Sequence, residues 1–99
     1  VRVGVDIERA DVARAADWYQ LAFNPTETAL LQPGLLVAGW CAKEAVAKAT
    51  GLGLHNPAQW LITQASDQGL TVQHAGIAYP VQLWSDGAEV LALCQFKCE

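Results

Sequence analysis

Val1-Arg2-Val3-Gly4-Val5-Asp6-Ile7-Glu8 opens the chain on a strict alternation of apolar with polar or small residues. Side chains along a strand point alternately to opposite faces, so Val1, Val3, Val5 and Ile7 share one face and Arg2, Gly4, Asp6 and Glu8 the other. The pattern predicts a strand with one buried face, the valine side being the apolar one.

Downstream the period changes to that of helices. Asp11 is placed to cap a helix running to about Phe23, with Val12, Ala15, Ala16, Tyr19 and Phe23 recurring at helical spacing. Asn24-Pro25 breaks it, and Thr26 starts a short helix bearing Glu27, Leu30 and Leu31. After a loop at Pro33-Gly34, residues 36–50 are rich in Ala, Leu, Glu and Lys, the best helix in the chain, ended by Gly51. Its packing stripe is Ala42, Ala45, Val46 and Ala49, small enough to let it lie close to a sheet.

From Trp60 onward the pattern becomes that of strands, over residues 60–64, 70–73, 77–84 and 89–96. The connections Ser66-Asp67-Gln68-Gly69, His74-Ala75-Gly76 and Ser85-Asp86-Gly87 are short and turn-prone, as antiparallel hairpins require. Pro80 fits an edge or a bulge. The order of strand, helices and antiparallel meander predicts an α+β fold, an antiparallel sheet packed against a long helix.

With 99 residues and no Pro/Gly/Ser-rich linker, residues 1–99 read as a single domain. A domain of this size buries only roughly 60–65% of the surface its unfolded chain exposes, so a partner would help it. No apolar run approaches the roughly 20 residues that cross a bilayer, and no signal-like stretch opens the chain, which reads as soluble and cytoplasmic. The first residue is Val rather than Met, which suggests an excerpt from a longer protein such as a synthase. A net charge of −4 argues against a nucleic-acid partner. Cys41, Cys94 and Cys98 form no Cys-x-x-Cys pair and read as free thiols of a reducing compartment.

Asp6 and Glu8 stand two apart on the polar face of the first strand, about 6.5 Å apart along the chain, an arrangement that invites a cation or simply forms a solvated strand end. Glu44 and Lys48 lie four apart on the long helix, in the order that favours an i,i+4 ion pair. Read separately, each has an ordinary structural explanation. His55 and His74 have no ligand spacing with the cysteines, which argues against zinc.

Together the two segments say more. Gly4-Val5-Asp6-Ile7-Glu8, followed downstream by Trp40-Cys41-Ala42-Lys43-Glu44-Ala45-Val46-Ala47-Lys48 and then Gly51-Leu52-Gly53-Leu54, closely resembles the two signature blocks of the 4′-phosphopantetheinyl transferase superfamily. Phe23, Thr26 and Glu27 resemble the segment between the blocks, while residues 55–99 match in strand pattern more than in letters. The resemblance implies transfer of phosphopantetheine from coenzyme A to a serine of an acyl or peptidyl carrier protein, in fatty-acid, polyketide or peptide biosynthesis, with release of 3′,5′-ADP. It also implies a Mg²⁺ ion shared by Asp6, Glu8, Glu44 and the coenzyme A diphosphate, oxygen donors that suit this hard cation.

By the same resemblance Lys48 contacts the phosphates, and Glu44 or a water on the metal removes the serine proton. Lys43 is a further phosphate or carrier contact or a solvated side chain; Gly51 and Gly53 flank a turn where backbone approaches the cofactor, although a helix cap explains Gly51 equally well. Arg9 and Arg14 fall where relatives present basic residues to the acidic carrier. The second carboxylate of the first block resembles the surfactin-type branch, in which two halves enclose the site. The length resembles instead the short holo-acyl-carrier-protein synthases, which form homotrimers. With six basic residues, one copy is expected to need a neighbour or an upstream half to hold coenzyme A. The contrasting reading is a non-catalytic docking or structural half.

Overall fold

The computed structural model describes residues 1–10, 18–31 and 34–97. In chain order they form strand β1 (Arg2–Arg9), helices α1 (Trp18–Ala22), α2 (Pro25–Leu31) and α3 (Leu36–Thr50), a 3₁₀ turn (Pro57–Gln59), and strands β2 (Leu61–Ala65), β3 (Gly69–His74), β4 (Ile77–Ser85) and β5 (Glu89–Phe96). The strands make one antiparallel sheet in the order β1-β5-β4-β3-β2. This is the α+β arrangement that the sequence predicts. The helix expected from Asp11 to Phe23 lies mostly outside the described residues; its described part is α1.

One face of the sheet packs against α3, whose stripe of Ala42, Ala45, Val46 and Ala49 is fully buried, as expected. Gly51 ends the helix at φ 76°, a left-handed conformation that glycine adopts without penalty, and its N–H caps the carbonyls of Ala47 and Lys48. Opposite the stripe, the register lines up Gly4, Cys94, Val81 and Leu70 across four strands, then Asp6, Ala92 and Leu83 in the next inward row.

The valine face of β1 is therefore not the buried one. Val3, Val5 and Ile7 are exposed, whereas Gly4 is buried under α3. Gly4 is the cause: a Cβ there would overlap the carbonyl oxygen of Ala45 and come within 2.5 Å of the Ala49 nitrogen. The bare glycine lets helix backbone rest on strand backbone, and the carboxylates that share its face are drawn to the helix side. A strand's polar face is buried here because close approach outweighs side-chain polarity.

Pro80 lies on β4, an interior strand, rather than at an edge. It pairs with Thr71 of β3, while the ladder to β5 begins only at Val81, so its missing N–H falls beyond that ladder. β2 carries the irregularity of the sheet, a register shift between Ile62 and Gln64. Trp60 is buried and stacks on His74 with ring centroids 3.7 Å apart, while Trp18 meets Phe23 and Trp40 edge to face.

Candidate active site

Asp6 faces α3 because Gly4, two residues earlier on the same face, has let the helix down onto the strand. Lys48 reaches back from the helix, placing Nζ 2.8 Å from Asp6 Oδ1 and donating a second hydrogen bond to the Val5 carbonyl at 3.2 Å. The Cys41 thiol, one turn before Glu44, donates to the Asp6 carbonyl at 3.1 Å and to that of Val90 at 3.5 Å. Strand and helix thus converge at Asp6. Its second oxygen, Oδ2, is buried with no hydrogen-bond partner.

Glu44 belongs to the same cluster. Partial burial, then the negative charges of Asp6 and Glu8, push its carboxyl above the ordinary glutamate value, against the opposing pull of Lys48. Lys48 stays firmly protonated, held up chiefly by its hydrogen bond to Asp6. Burial and the neighbouring Asp6 raise the Cys41 thiol far above its usual range, which leaves it an inert packing group. Asp6, Glu8, Glu44 and Lys48 therefore share one electrostatic neighbourhood.

Among the described residues, no three His, Cys, Asp or Glu side chains stand together as a ready metal cage. The donor set nevertheless suits a hard divalent cation: carboxylate oxygens only, one of them buried and unpartnered on Asp6. Asp6 and Glu8 act on Glu44 as like charges, and the Lys48 ammonium takes up part of the charge of Asp6. Asp6, Glu8 and Glu44 are the side chains that would hold such an ion.

Lys43 is placed otherwise than expected. Its side chain is fully buried, and its three donors go to Glu27 Oε2 at 2.9 Å, the Ala22 carbonyl at 2.7 Å and the Pro57 carbonyl at 2.9 Å, with the Phe23 ring centroid 4.8 Å away. Burial lowers its affinity for the proton, and Glu27 partly restores it. With every N–H engaged inside the fold, Lys43 has none left for a phosphate.

Glu27 is the residue that sequence reading undervalued. Asn24-Pro25-Thr26-Glu27 forms a capping box: the Glu27 N–H donates to Asn24 Oδ1 at 2.8 Å, and the Asn24 N–H donates to Glu27 Oε1 at 3.0 Å. The Asn-x-x-Glu spacing was the available signal. Its other oxygen accepts from Lys43 and from the Ile62 N–H at 2.8 Å, tying α2, α3 and β2 together.

Gly51 and Gly53 both have positive φ, 76° and 75°, so turn geometry alone accounts for them. The Arg2 guanidinium lies beside Gly51 and the His55 ring beside Gly53. Arg14 lies outside the described residues.

Fold and site define a small α+β domain with a strand-and-helix acidic cluster beside a lysine. The profile of the 4′-phosphopantetheinyl transferase superfamily matches residues 2–94, and the chain belongs to that superfamily. The superfamily supports a transferase that moves phosphopantetheine from coenzyme A to carrier proteins, typically with a divalent metal. A comparison with curated proteins finds no match. No helix among the described residues is long and apolar enough to cross a membrane.

Proposed function

We propose that this chain is a Mg²⁺-dependent holo-acyl-carrier-protein synthase, transferring 4′-phosphopantetheine from coenzyme A to a serine of an acyl or peptidyl carrier. The observation that carries the proposal is Asp6: one carboxylate oxygen bound to Lys48, the other buried and unpartnered, with Glu44 and Glu8 in electrostatic reach.

Asp6, Glu8 and Glu44 would hold the ion, which when bound offsets the charge of the diphosphate. Lys48 is half-exposed, so its ammonium is free to turn from Asp6 to a phosphate oxygen as charge moves onto the leaving group. Glu44, raised above the ordinary carboxylate range, is suited to take the serine proton as the serine oxygen bonds to the β-phosphorus and 3′,5′-ADP departs. Gly51 and Gly53, with Arg2 and His55 alongside, offer an open turn to the cofactor's remaining phosphates.

The shortage of basic charge deepens once Lys43 is spent internally. A neighbouring chain, in a homotrimer, or an upstream half would supply the rest. The same shortage is what favours the second reading, a docking or structural half whose catalytic work is done elsewhere. Buried free thiols at Cys41 and Cys94 support a cytoplasmic setting.

The two readings separate in one assay. Mixed with an apo carrier protein, coenzyme A and Mg²⁺, the chain, assembled with its neighbour, should add the phosphopantetheine mass to the carrier serine. Coenzyme A binding without any adduct would favour the docking half.

A further inference from the structure

Asp6 meets the outside of the molecule through one oxygen. Its side chain is 12% exposed, and because Oδ2 is buried, Oδ1 is the oxygen that a cation arriving from solvent can reach. That oxygen is the one Lys48 holds, with Nζ at 2.8 Å. The same ammonium is anchored a second time, donating to the Val5 carbonyl at 3.2 Å. The two acceptors belong to neighbouring residues of β1, so the ammonium bars the way to Oδ1 and resists the turn of the carboxylate that would bring Oδ2 outward.

The bar is a weak one. Lys48 follows Glu44 by one helical turn and Cys41 by two, along the side of α3 that lies on β1, yet its own side chain is 53% exposed. Water readily takes up the hydrogen bonds it gives up, and an ion pair in such a setting is worth a factor of about five at most. A cation bearing two charges, drawn by Asp6, Glu8 and Glu44 together, outweighs one ammonium held in this way. Arginine at the same position would grip the carboxylate with a planar fork of donors, a tighter hold than a point-like ammonium gives.

We infer that Lys48 is a gate on the acidic cluster: its ammonium and a divalent cation compete for Asp6 Oδ1, and the cation's arrival turns Lys48 outward, where its charge becomes available to a phosphate. This gate presupposes the ligand role proposed for Asp6, Glu8 and Glu44 and adds an order of events to it. The cation frees the group that a diphosphate uses, and a diphosphate, by keeping Lys48 off Asp6, holds the gate open for the cation. Each therefore tightens the binding of the other by the same factor, as linkage requires. A diphosphate that arrives first meets three carboxylates, with the lysine committed to one of them.

Two measurements without coenzyme A test it. In a Mn²⁺ titration followed by electron paramagnetic resonance, Lys48→Met should bind the ion about 3- to 10-fold more tightly than wild type. Lys48→Arg, which keeps the charge but tightens the hold, should bind it several-fold more weakly, a change that loss of charge alone does not produce. In the wild type, the nitrogen-correlated proton signal of the Lys48 ammonium, protected by its bonds to Asp6 and Val5, should vanish into solvent exchange as Mg²⁺ binds. Mn²⁺ affinity that does not rise in Lys48→Met, or a Lys48 signal that persists once Mg²⁺ has bound, overturns the inference and leaves the proposed function standing. If neither wild type nor Lys48→Met binds Mn²⁺ until coenzyme A is added, the gate is likewise refuted, since the proposed function is judged with coenzyme A present.

Discussion

Lys48 Nζ on α3 and Asp6 Oδ1 on β1 stand 2.8 Å apart, and this contact ties the C-terminal part of the helix to the first strand. Because Lys48 is half-exposed, the pair contributes at most about 1 kcal/mol to folding. Lys48→Met should therefore leave the urea midpoint nearly unchanged while lowering the transfer rate by about 100-fold, the loss typical of a group that stabilises developing charge.

The buried pair of Lys43 and Glu27 behaves in the opposite way. Lys43→Met leaves the Glu27 carboxylate, with two hydrogen bonds remaining from the Asn24 and Ile62 N–H groups, without its counter-charge in the interior. A loss of about 3–5 kcal/mol is expected in chemical denaturation, and the double variant Lys43→Met, Glu27→Gln should recover part of it. Coenzyme A affinity of the molecules that remain folded should not change.

Gly4 is the tightest contact between strand and helix. Gly4→Ala should cost at least about 2 kcal/mol, because the listing of α3 away from β1 is resisted by a packed core rather than by a flexible side chain. The urea midpoint measures it, and a neutral result would mean that the helix does not rest on the strand.

Glu44 gives a pH dependence of definite sign. Its carboxyl is raised above 4.5 in the folded chain, first by burial and then by Asp6, so the folded state holds the proton more tightly than the unfolded one. The stability this group contributes is fully present below pH 4.5 and is lost as pH rises through the higher folded value. Glu44→Gln should melt at a higher temperature than wild type near neutral pH in the absence of divalent ions, the gap closing as pH falls below 4.5.

Much of the architecture was legible because it follows local rules. The best helix spans the predicted residues, Gly51 caps it, and the last strand, Glu89–Phe96, keeps its predicted bounds. Turn residues announced the hairpins. The orientation of β1 was not legible, since alternation identifies two faces but polarity chooses the wrong one when a glycine admits a helix backbone. Pro80 misled for a related reason: it marks where one ladder stops, not where the sheet ends.

The site was legible in part. Asp6, Glu44 and Lys48 share one neighbourhood, as the resemblance of the two blocks to the superfamily implied. Lys43 could not be separated from its neighbours by sequence, because adjacent helix positions point about 100° apart and only the tertiary fold decides which one meets Glu27. The capping box at Asn24 and Glu27 was readable, but its second role as the buried partner of Lys43 was not.

On the proposed function, β1 and α3 together hold one divalent ion. Mn²⁺, which accepts the same oxygen ligands, reports on it directly by its electron paramagnetic resonance signal in the presence of coenzyme A. One bound Mn²⁺ per chain is predicted, lost on Asp6→Asn and on Glu44→Gln while both variants keep their fold. Mn²⁺ binding that neither substitution weakens would contradict the account.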